Sequence, residues 1–105
     1  MSNKTRQLYE FADFRFDAEQ LSLWQNSELV SVPPKALQIL KLLVEQQGEI
    51  ISREELLKKV WHETFVEEAN INYTISLLRK AFGDNNFVQT VSKRGYRFVA
   101  EVTII

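Results

Sequence analysis

Residues 8–32 alternate between short apolar runs and small polar breaks. The runs "LYEFADFRF", "LSLWQ" and "ELVSV" are rich in aromatic and branched residues, and Asp13, Asp17 and the Asn26-Ser27 pair stand within or between them. Runs of this length with such turn residues are typical of antiparallel strands. The pattern predicts a sheet of three or four strands whose apolar positions are Phe11, Phe14, Phe16, Leu21, Leu23, Trp24, Leu29, Val30 and Val32.

A helical period begins at the two adjacent prolines, Pro33 and Pro34. Proline is tolerated in the first turn of a helix. The apolar residues of "KALQILKLLVEQQG" then recur at helical spacing until Gly48, the predicted stop. Their stripe is wide, which predicts a helix that is buried over much of its surface. The run "EII" that follows is predicted to form one short strand.

Two further helices are predicted between Ser52 and Gly83. The stretch "SREE" forms a capping box, in which the Ser52 side chain accepts a bond from the N3 amide and Glu55 reaches back to the helix start. "HETFVEEA" interrupts the apolar period and is predicted to be a loop. A third helix is expected from Asn70 to Phe82, where Gly83 ends it.

Two strands, "FVQTV" and "YRFVAEV", follow the third helix, and "SKRG" joins them. The order of sheet, three helices and hairpin predicts an α+β winged helix-turn-helix, in which a β-hairpin wing follows a three-helix core. We expect residues 1–7 to be a flexible N-terminus and residues 8–105 to form a single winged-helix domain. Within it we expect the N-terminal sheet at 8–32, the three-helix core at 33–83 and the wing hairpin at 87–102.

The composition agrees with one small folded domain but conceals an uneven charge. Of 105 residues, 45% are apolar, and the formal net charge is −1. Residues 1–68 carry 8 Lys and Arg against 12 Asp and Glu, a net −4, whereas residues 69–105 carry 5 against 2, a net +3. The basic excess where the hairpin lies favours a polyanionic partner. The absence of cysteine suits a reducing cytoplasm, and no apolar run approaches the roughly 20 residues of a membrane span.

No sequence motif indicates catalytic chemistry. His62 is the only histidine, and a lone histidine in a predicted loop lacks the partners of a ligand set or a general base. The acidic pairs Glu54-Glu55 and Glu67-Glu68 are explained by helix capping and by a solvated loop. The chain has no glycine-rich phosphate loop and no GxSxG motif. We therefore predict a protein that is not an enzyme and needs no cofactor and no metal.

Three stretches together, "ISREELLKKVW", "INYTISLLRKAF" and "VQTVSKRGYRF", resemble the DNA-binding effector domain of OmpR/PhoB-type transcriptional regulators. The resemblance extends from Phe11 to Val102. It implies a four-stranded N-terminal sheet, three helices and a hairpin wing, with the third helix in the major groove of double-stranded DNA and the wing tip in the adjacent minor groove. It also implies sequence-specific binding as a side-by-side, tandem pair on a direct-repeat operator.

Two segments, "HETFVEEANI" and "SKRGYRF", are most similar to membrane-tethered or receiver-less regulators of the CadC/ToxR kind, which carry this domain at the N-terminus. That similarity implies a cytoplasmic domain in a full-length protein that continues into a membrane or sensor region. The loop 62–68 corresponds to the segment that contacts RNA polymerase in some members of the family. Its acidic residues Glu63, Glu67 and Glu68 suit a protein partner, although a solvated connector is the simpler explanation.

The outward face of the third helix is the candidate reading surface. Subtracting the predicted buried face leaves Asn70, Asn72, Tyr73, Thr74, Ser76, Leu77 and Lys80. Amides and hydroxyls can bond to base edges, asparagine can pair bidentately with adenine, and Tyr73 or Leu77 can contact a thymine methyl. The simpler interpretation is an ordinary solvent-facing surface. Because Ala69 and Ser76 stand where the family is often basic, we expect modest affinity for one domain.

Further candidates flank this face. Arg79 matches the family's LRK motif and is implied as a phosphate contact, although complementing the helix C-terminus explains it nearly as well. Arg53, at the start of the second helix, is a candidate phosphate contact beside free helix amides. Thr90 and Tyr96 match family positions whose hydroxyls touch phosphate, but packing beside the hairpin is an equal alternative for Tyr96. Trp61 is expected to be a buried anchor, and a contact of its indole N–H with phosphate is the alternative.

The tip of the predicted wing concentrates Lys93, Arg94 and Arg97 around Gly95. Gly95 lets the turn adopt positive φ, so Lys93 and Arg94 are expected to project toward phosphates or a minor groove. The family often has an arginine directly after "TV", where this chain has Ser92, so Arg94 is expected to take the minor-groove role. Lys93 is the weaker choice because a guanidinium sheds water more readily than an ammonium.

The alternative function is a winged helix that docks on a protein and has no intrinsic affinity for DNA. The few cations on the third helix and the net charge of −1 favour this alternative. The cationic wing and the LRK match favour DNA. The two functions differ in their dependence on salt, because only phosphate contacts release condensed counterions.

Overall fold

The computed structural model describes residues 7–62 and 66–105, and within them the predicted order of elements is confirmed. The elements are β1 Leu8–Phe11, β2 Phe14–Asp17, β3 Ser22–Gln25, β4 Glu28–Val30, α1 Pro34–Gln46, α2 Arg53–Val60, α3 Glu68–Ala81, β5 Val88–Val91, β6 Gly95–Phe98 and β7 Thr103–Ile104. This is the α+β winged helix that the sequence predicts. The flexible N-terminus expected at residues 1–7 stays a prediction, since residues 1–6 lie outside the described residues.

The first four strands form an antiparallel meander, as predicted. Tyr9, Phe16, Leu23 and Val30 lie side by side across it and pack into the core. Trp24 and Leu29 alternate with these residues and are 38% and 63% exposed. Because neighbouring residues of a strand point to opposite faces, these two side chains lie on the outer face of the sheet.

The sheet has a fifth strand, β7, which the sequence did not predict. β7 pairs antiparallel with β1, so the strand order is β4-β3-β2-β1-β7. The prediction that the wing extends to Val102 is therefore wrong. β6 ends at Phe98, Val99 N donates to Phe87 O at 2.8 Å, and the chain then crosses to β1.

The three helices bury the faces that helical spacing predicts. The buried residues are Ala36, Leu37, Ile39, Leu40, Leu43 and Val44 on α1, Leu56 and Val60 on α2, and Ile71, Thr74, Ile75 and Leu78 on α3. Trp61 follows α2 and is buried, as expected of an anchor. Lys35 lies beside it, with Nζ 5.9 Å from the indole centroid and 2.8 Å from Val60 O, to which it donates.

The helix ends confirm part of the capping prediction. Ser52 Oγ accepts from the amide of Glu55 at 3.1 Å, but the Glu55 carboxylate accepts from Lys59 Nζ at 3.0 Å rather than reaching back. α1 ends at Gln46, two residues before the predicted glycine stop, and Gln47 takes the left-handed cap position with φ 46°. α3 begins at Glu68, two residues earlier than predicted, which places the second acidic pair at its N-terminus.

Five phenyl rings join the sheet, α3 and the base of the hairpin. They belong to Phe11, Phe14, Phe82, Phe87 and Phe98, and neighbouring centroids lie 5.0–6.2 Å apart, mostly with edge-to-face geometry. Such contacts between aromatic rings stabilise a core beyond the burial of apolar area. The cluster therefore holds the base of the wing against the sheet and α3.

Candidate nucleic-acid interface

The outward face of α3 carries no charge between Asn70 and Leu77. Asn70, Asn72, Tyr73 and Ser76 are exposed, and Tyr73 presents 63% of its surface. Leu77 is half-buried, so it lies at the edge of this face. We call the four exposed residues, Asn70, Asn72, Tyr73 and Ser76, the reading face. They offer hydrogen-bonding groups and one aromatic ring, and none of them carries a charge.

Thr74 does not belong to the reading face, because the exposure that the sequence predicts for it is wrong. The residue is 7% exposed, and its hydroxyl donates to the carbonyl of Asn70 at 2.8 Å. Threonine bonds readily to the carbonyl one turn earlier in a helix. A helical-wheel subtraction of Ile, Leu and Phe does not reveal the burial of this residue. Ser76 remains exposed, with its hydroxyl donating to Tyr73 O at 2.6 Å.

The tip of the wing is a three-residue turn, Ser92 to Arg94. Arg94 N donates to Val91 O at 2.9 Å and closes it. Lys93 has φ 65°, so the left-handed position predicted for glycine at the tip is occupied by a lysine. Lys93 and Arg94 are exposed, and neither side chain makes a hydrogen bond or ion pair with a described residue.

Gly95 has positive φ as predicted, but close packing is its stronger requirement. Its φ is +140°, and an added Cβ would overlap the carbonyl of Ile51 and lie 2.9 Å from the Ser52 Cα. The next residue, Tyr96, forms a β-bridge with Ile51, in which Ile51 N donates to Tyr96 O at 2.7 Å and Tyr96 N to Ile51 O at 3.0 Å. The predicted strand "EII" is this single bridge, and it joins the wing to a position two residues before α2.

A second link joins the end of α3 to β5. The Arg79 guanidinium donates to Val88 O from Nε at 3.2 Å and from Nη2 at 3.0 Å, and to Thr90 Oγ1 at 2.7 Å. Arg79 and Thr90, each of which is predicted to contact phosphate, therefore contact each other. A five-donor guanidinium retains N–H groups for a further acceptor after these bonds.

A third link joins the reading face to β6. Tyr96 is buried, and its hydroxyl donates to Oδ1 of Asn72 at 2.9 Å. Of the two alternatives for Tyr96, the structure therefore shows packing beside the hairpin. The sequence motifs place these two residues 24 positions apart and contain no signal for the pair.

Arg53, in the first turn of α2, lies beside Tyr96. Its guanidinium carbon lies 5.4 Å from the Tyr96 ring centroid. Its Nε lies 2.8 Å from Glu68 Oε2, although the N–H is not aimed at that oxygen and Nε has no hydrogen bond. Glu68 is thus an ion-pair partner on α3, not a loop residue. The sequence does not reveal this role, because the predicted helix begins at Asn70 and leaves Glu68 in the loop.

The free positive charges lie in the last turn of α3 and at the tip of the wing. Lys80, Lys93 and Arg94 are exposed without a partner among the described residues, whereas Arg97 Nε donates to Gln89 Oε1 at 2.6 Å. Glu68 carries negative charge at the opposite end of α3. The predicted RNA polymerase contact at 62–68 includes residues 63–65, which lie outside the described residues.

Neither a metal centre nor a membrane span is found in the described part of the chain. No group of three His, Cys, Asp or Glu side chains there is placed to hold a metal ion. No helix within residues 7–62 and 66–105 has the length and apolar character to cross a bilayer.

The links define a class of protein. A three-helix core whose last helix is hydrogen-bonded to both strands of a C-terminal hairpin is a winged helix, and it presents helix and wing as one surface. The chain belongs to the family of transcriptional regulatory protein C-terminal domains, whose family model matches residues 26–98. It is a winged-helix DNA-binding domain of the OmpR/PhoB type. This family and fold are those of transcription factors, which confirms the prediction that the domain is not an enzyme.

Individual relatives agree with this assignment. The transcriptional regulator HilA of Salmonella typhimurium is 32% identical over 108 residues, which cover 100% of this chain and 19% of the relative. The chain thus spans about a fifth of the length of that curated relative. The RstA DNA-binding domain of Klebsiella pneumoniae, in complex with the RstA box, is 26% identical, with a TM-score of 0.76 over 88% of this chain and 96% of that chain.

A second solved structure supports the fold alone. The DNA-binding domain of E. coli CadC has a TM-score of 0.82 and 24% identity, over 97% of this chain and 100% of that chain. The prediction that the chain resembles CadC-like regulators is confirmed by this fold and by a 31% sequence identity with E. coli CadC over 74% of this chain and 16% of the relative.

Proposed function

We propose that this domain binds double-stranded DNA sequence-specifically, with the reading face of α3 in the major groove and the wing tip in the adjacent minor groove. The observation that carries this proposal is the pair of links between α3 and the hairpin. Asn72 bonds to Tyr96 on β6, and Arg79 bonds to Val88 and Thr90 on β5. Because α3 is held to both strands, a duplex that meets the helix also meets the wing in a fixed relation.

The distribution of charge supports separate tasks for the two parts. The reading face is neutral, and its amides and hydroxyl suit the donor and acceptor pattern of major-groove base edges. Arg94 and Lys93 at the tip are unpaired cations, and a narrow minor groove concentrates negative potential that attracts arginine. Arg94 takes the minor-groove role, since guanidinium is more weakly hydrated than ammonium.

Phosphate contacts surround these two parts. Arg53, Lys80, Lys93 and Thr90 lie on the elements that flank the reading face. Arg79 contacts phosphate through the N–H groups that its bonds to β5 leave free. The complex between the RstA domain and its DNA box supports this general arrangement for a domain of the same fold.

The assembly is proposed to be a side-by-side pair on a direct repeat. A neutral reading face limits the affinity of one domain, and a second bound copy raises the effective concentration of the first.

Full-length relatives are far longer than this chain, and we propose that the domain works on the cytoplasmic side of a regulator that continues into a sensor or membrane region. A contact between loop 62–68 and RNA polymerase belongs to the same proposal.

The test is selection of bound duplexes from a random library at low salt, followed by measurement of the dissociation constant between 50 and 200 mM salt. Wild-type domain is expected to enrich one motif, repeated at a spacing of about one helical turn. Its log-log salt slope is expected to be several units, since each neutralised phosphate contributes about 0.9. Arg94→Ala is expected to lower that slope by about one unit and to weaken binding.

A matched control is Arg15→Ala. Arg15 is an exposed arginine on the outer face of the sheet, where Nη2 lies 2.7 Å from Glu10 Oε2. Its removal is expected to leave motif and slope unchanged. Binding without a motif contradicts base reading, and no binding near 50 mM salt favours the protein-docking alternative.

A further inference from the structure

A hydrogen bond from the wing orients the Asn72 amide on the reading face. Tyr96 Oη donates to Asn72 Oδ1 at 2.9 Å. Tyr96 is 2% exposed, whereas Asn72 is exposed on the reading face. A buried tyrosine hydroxyl needs a hydrogen-bond partner, and Asn72 Oδ1 is that partner here.

The tyrosine is held on several sides, so its hydroxyl has a fixed position relative to α3. Its backbone exchanges two hydrogen bonds with Ile51, at 2.7 and 3.0 Å. The Arg53 guanidinium lies over its ring at 5.4 Å. Gly95, directly before it, packs so closely on Ile51 that no side chain fits there. The Asn72 amide is therefore oriented by a rigid group and not by solvent.

An amide held in this way offers its nitrogen. Oδ1 accepts from Tyr96, and Nδ2 has no hydrogen bond to a described residue. Bidentate pairing of asparagine with adenine needs the oxygen as acceptor from N6 and the nitrogen as donor to N7. Tyr96 occupies one of the two lone pairs of Oδ1 and leaves both N–H groups of Nδ2 free, so Asn72 offers more donor than acceptor capacity to a base. Guanine presents two adjacent acceptors, N7 and O6, to such a group, whereas adenine presents one acceptor beside a donor and cytosine offers only a donor.

We propose that Tyr96 is a positioning residue for base selection, which holds Asn72 as a hydrogen-bond donor so that this residue reads guanine in preference to adenine and cytosine. The proposal rests on the proposed function, because it requires α3 in the major groove. It replaces, for Asn72, the general expectation that asparagine pairs with adenine.

The experiment compares wild type, Tyr96→Phe, Asn72→Ala and the double variant by selection from a random duplex library and by dissociation constants on single-base variants of the selected site. The position that Asn72 reads is the one whose preference disappears in Asn72→Ala. Wild type is expected to favour guanine over adenine there by about three- to tenfold. Tyr96→Phe keeps the ring but frees Oδ1, and is expected to shift the preference toward adenine. In the Asn72→Ala background, Tyr96→Phe is expected to change the preference no further.

Asn72→Asp supplies a second variant that leaves Tyr96 intact. Aspartate still accepts from the Tyr96 hydroxyl but has no donor for a base, so binding to the selected site is expected to fall at least as far as in Asn72→Ala. Tyr9→Phe removes the hydroxyl of another buried tyrosine, in β1, and is the matched control. It is expected to leave the motif unchanged, and urea unfolding of every variant measures the folded fraction.

The outcomes separate the two proposals. If wild type selects a motif but Tyr96→Phe only weakens binding equally for all bases and in both backgrounds, the hydroxyl merely stabilises the wing and this inference is overturned. Adenine preferred by wild type at the Asn72 position, or full binding by Asn72→Asp, overturns it as well. A wild type that selects no motif contradicts the proposed function, and this inference with it.

Discussion

The reading face and the wing tip differ in how far their side chains are already committed. On α3, Asn72 accepts from Tyr96, and the Ser76 hydroxyl donates to the backbone. At the tip, Lys93 and Arg94 have no side-chain partner among the described residues, and the backbone at Lys93 is left-handed. The reading face is neutral, and hydrogen bonds hold its Asn72 and Ser76 side chains. The wing tip is charged, and no such bond holds Lys93 or Arg94.

This difference indicates a division of labour. Groups that must distinguish bases gain from being held in place, because a misdirected donor leaves a polar group unpaired. Cations that meet phosphates or a minor groove need less precise placement, since charge interactions depend weakly on angle. We therefore expect sequence preference to reside on α3 and most salt-dependent affinity to reside at the wing.

The largest effect is expected from Gly95→Ala, because Gly95 is the position at which the wing packs against Ile51. The added methyl overlaps the Ile51 carbonyl, and φ +140° disfavours a side chain. We expect the free energy of unfolding to fall by about 3 kcal/mol in urea denaturation. Gly83→Ala is the matched control, because Gly83 also has positive φ but nothing lies within 4 Å of its Cβ position. It is expected to lose only about 1 kcal/mol. Equal losses in the two variants would show that close packing on Ile51 is unimportant.

A pair of substitutions tests the division of labour directly. Tyr73→Ala is expected to change preference at one base position by about 1–3 kcal/mol without altering the salt slope. Lys93→Ala is expected to lower the slope by about one unit and weaken all duplexes alike. Dissociation constants on matched and single-mismatch duplexes at several salt concentrations measure both quantities. If Lys93→Ala changes base preference, or Tyr73→Ala changes the slope, the two regions do not have separate tasks.

Substitutions at Arg79 separate its link to the wing from its charge. Arg79→Lys keeps the charge but cannot reproduce the forked bonds to Val88 and Thr90. We expect both Arg79→Lys and Arg79→Ala to lose about 1 kcal/mol of unfolding free energy, because none of these bonds is fully buried. Only Arg79→Ala is expected to lower the salt slope of DNA binding. A fully stable Arg79→Lys would mean that the link does not hold the wing to α3.

The smallest effect is expected from Glu68→Gln at the acidic end of α3. Glu68 lies beside Arg53, and the pair is partly exposed. Its neutralisation is expected to free Arg53 for phosphate and to strengthen DNA binding about two- to threefold at low salt. Glu67→Gln removes a neighbouring charge that has no cap bond and no ion pair with a described residue. It is expected to give a smaller gain. Equal gains would assign the effect to net charge alone and not to Arg53.

The sequence alone determined the order of elements and the buried faces of the helices. Helical spacing identified Ile71, Ile75, Leu78 and Phe82, all of which are buried. Capping residues and turn residues act within a few positions of one another, so their effects can be read directly from the chain. The same local signals identified the neutral face of α3 and the cationic tip between two strands. Thr74 was the exception, because its hydroxyl bonds within its own helix.

Only the tertiary structure decided how these parts meet. β7 joins the sheet from the far end of the chain, Arg79 reaches Thr90 across 11 positions, and Tyr96 reaches Asn72 across 24. Contacts of this kind depend on where packing places each element, and no period or motif along the chain records them. The physical reason is the difference in range. Secondary structure follows from neighbouring residues, whereas the orientation of one amide on the reading face follows from a tyrosine that the fold brings to it.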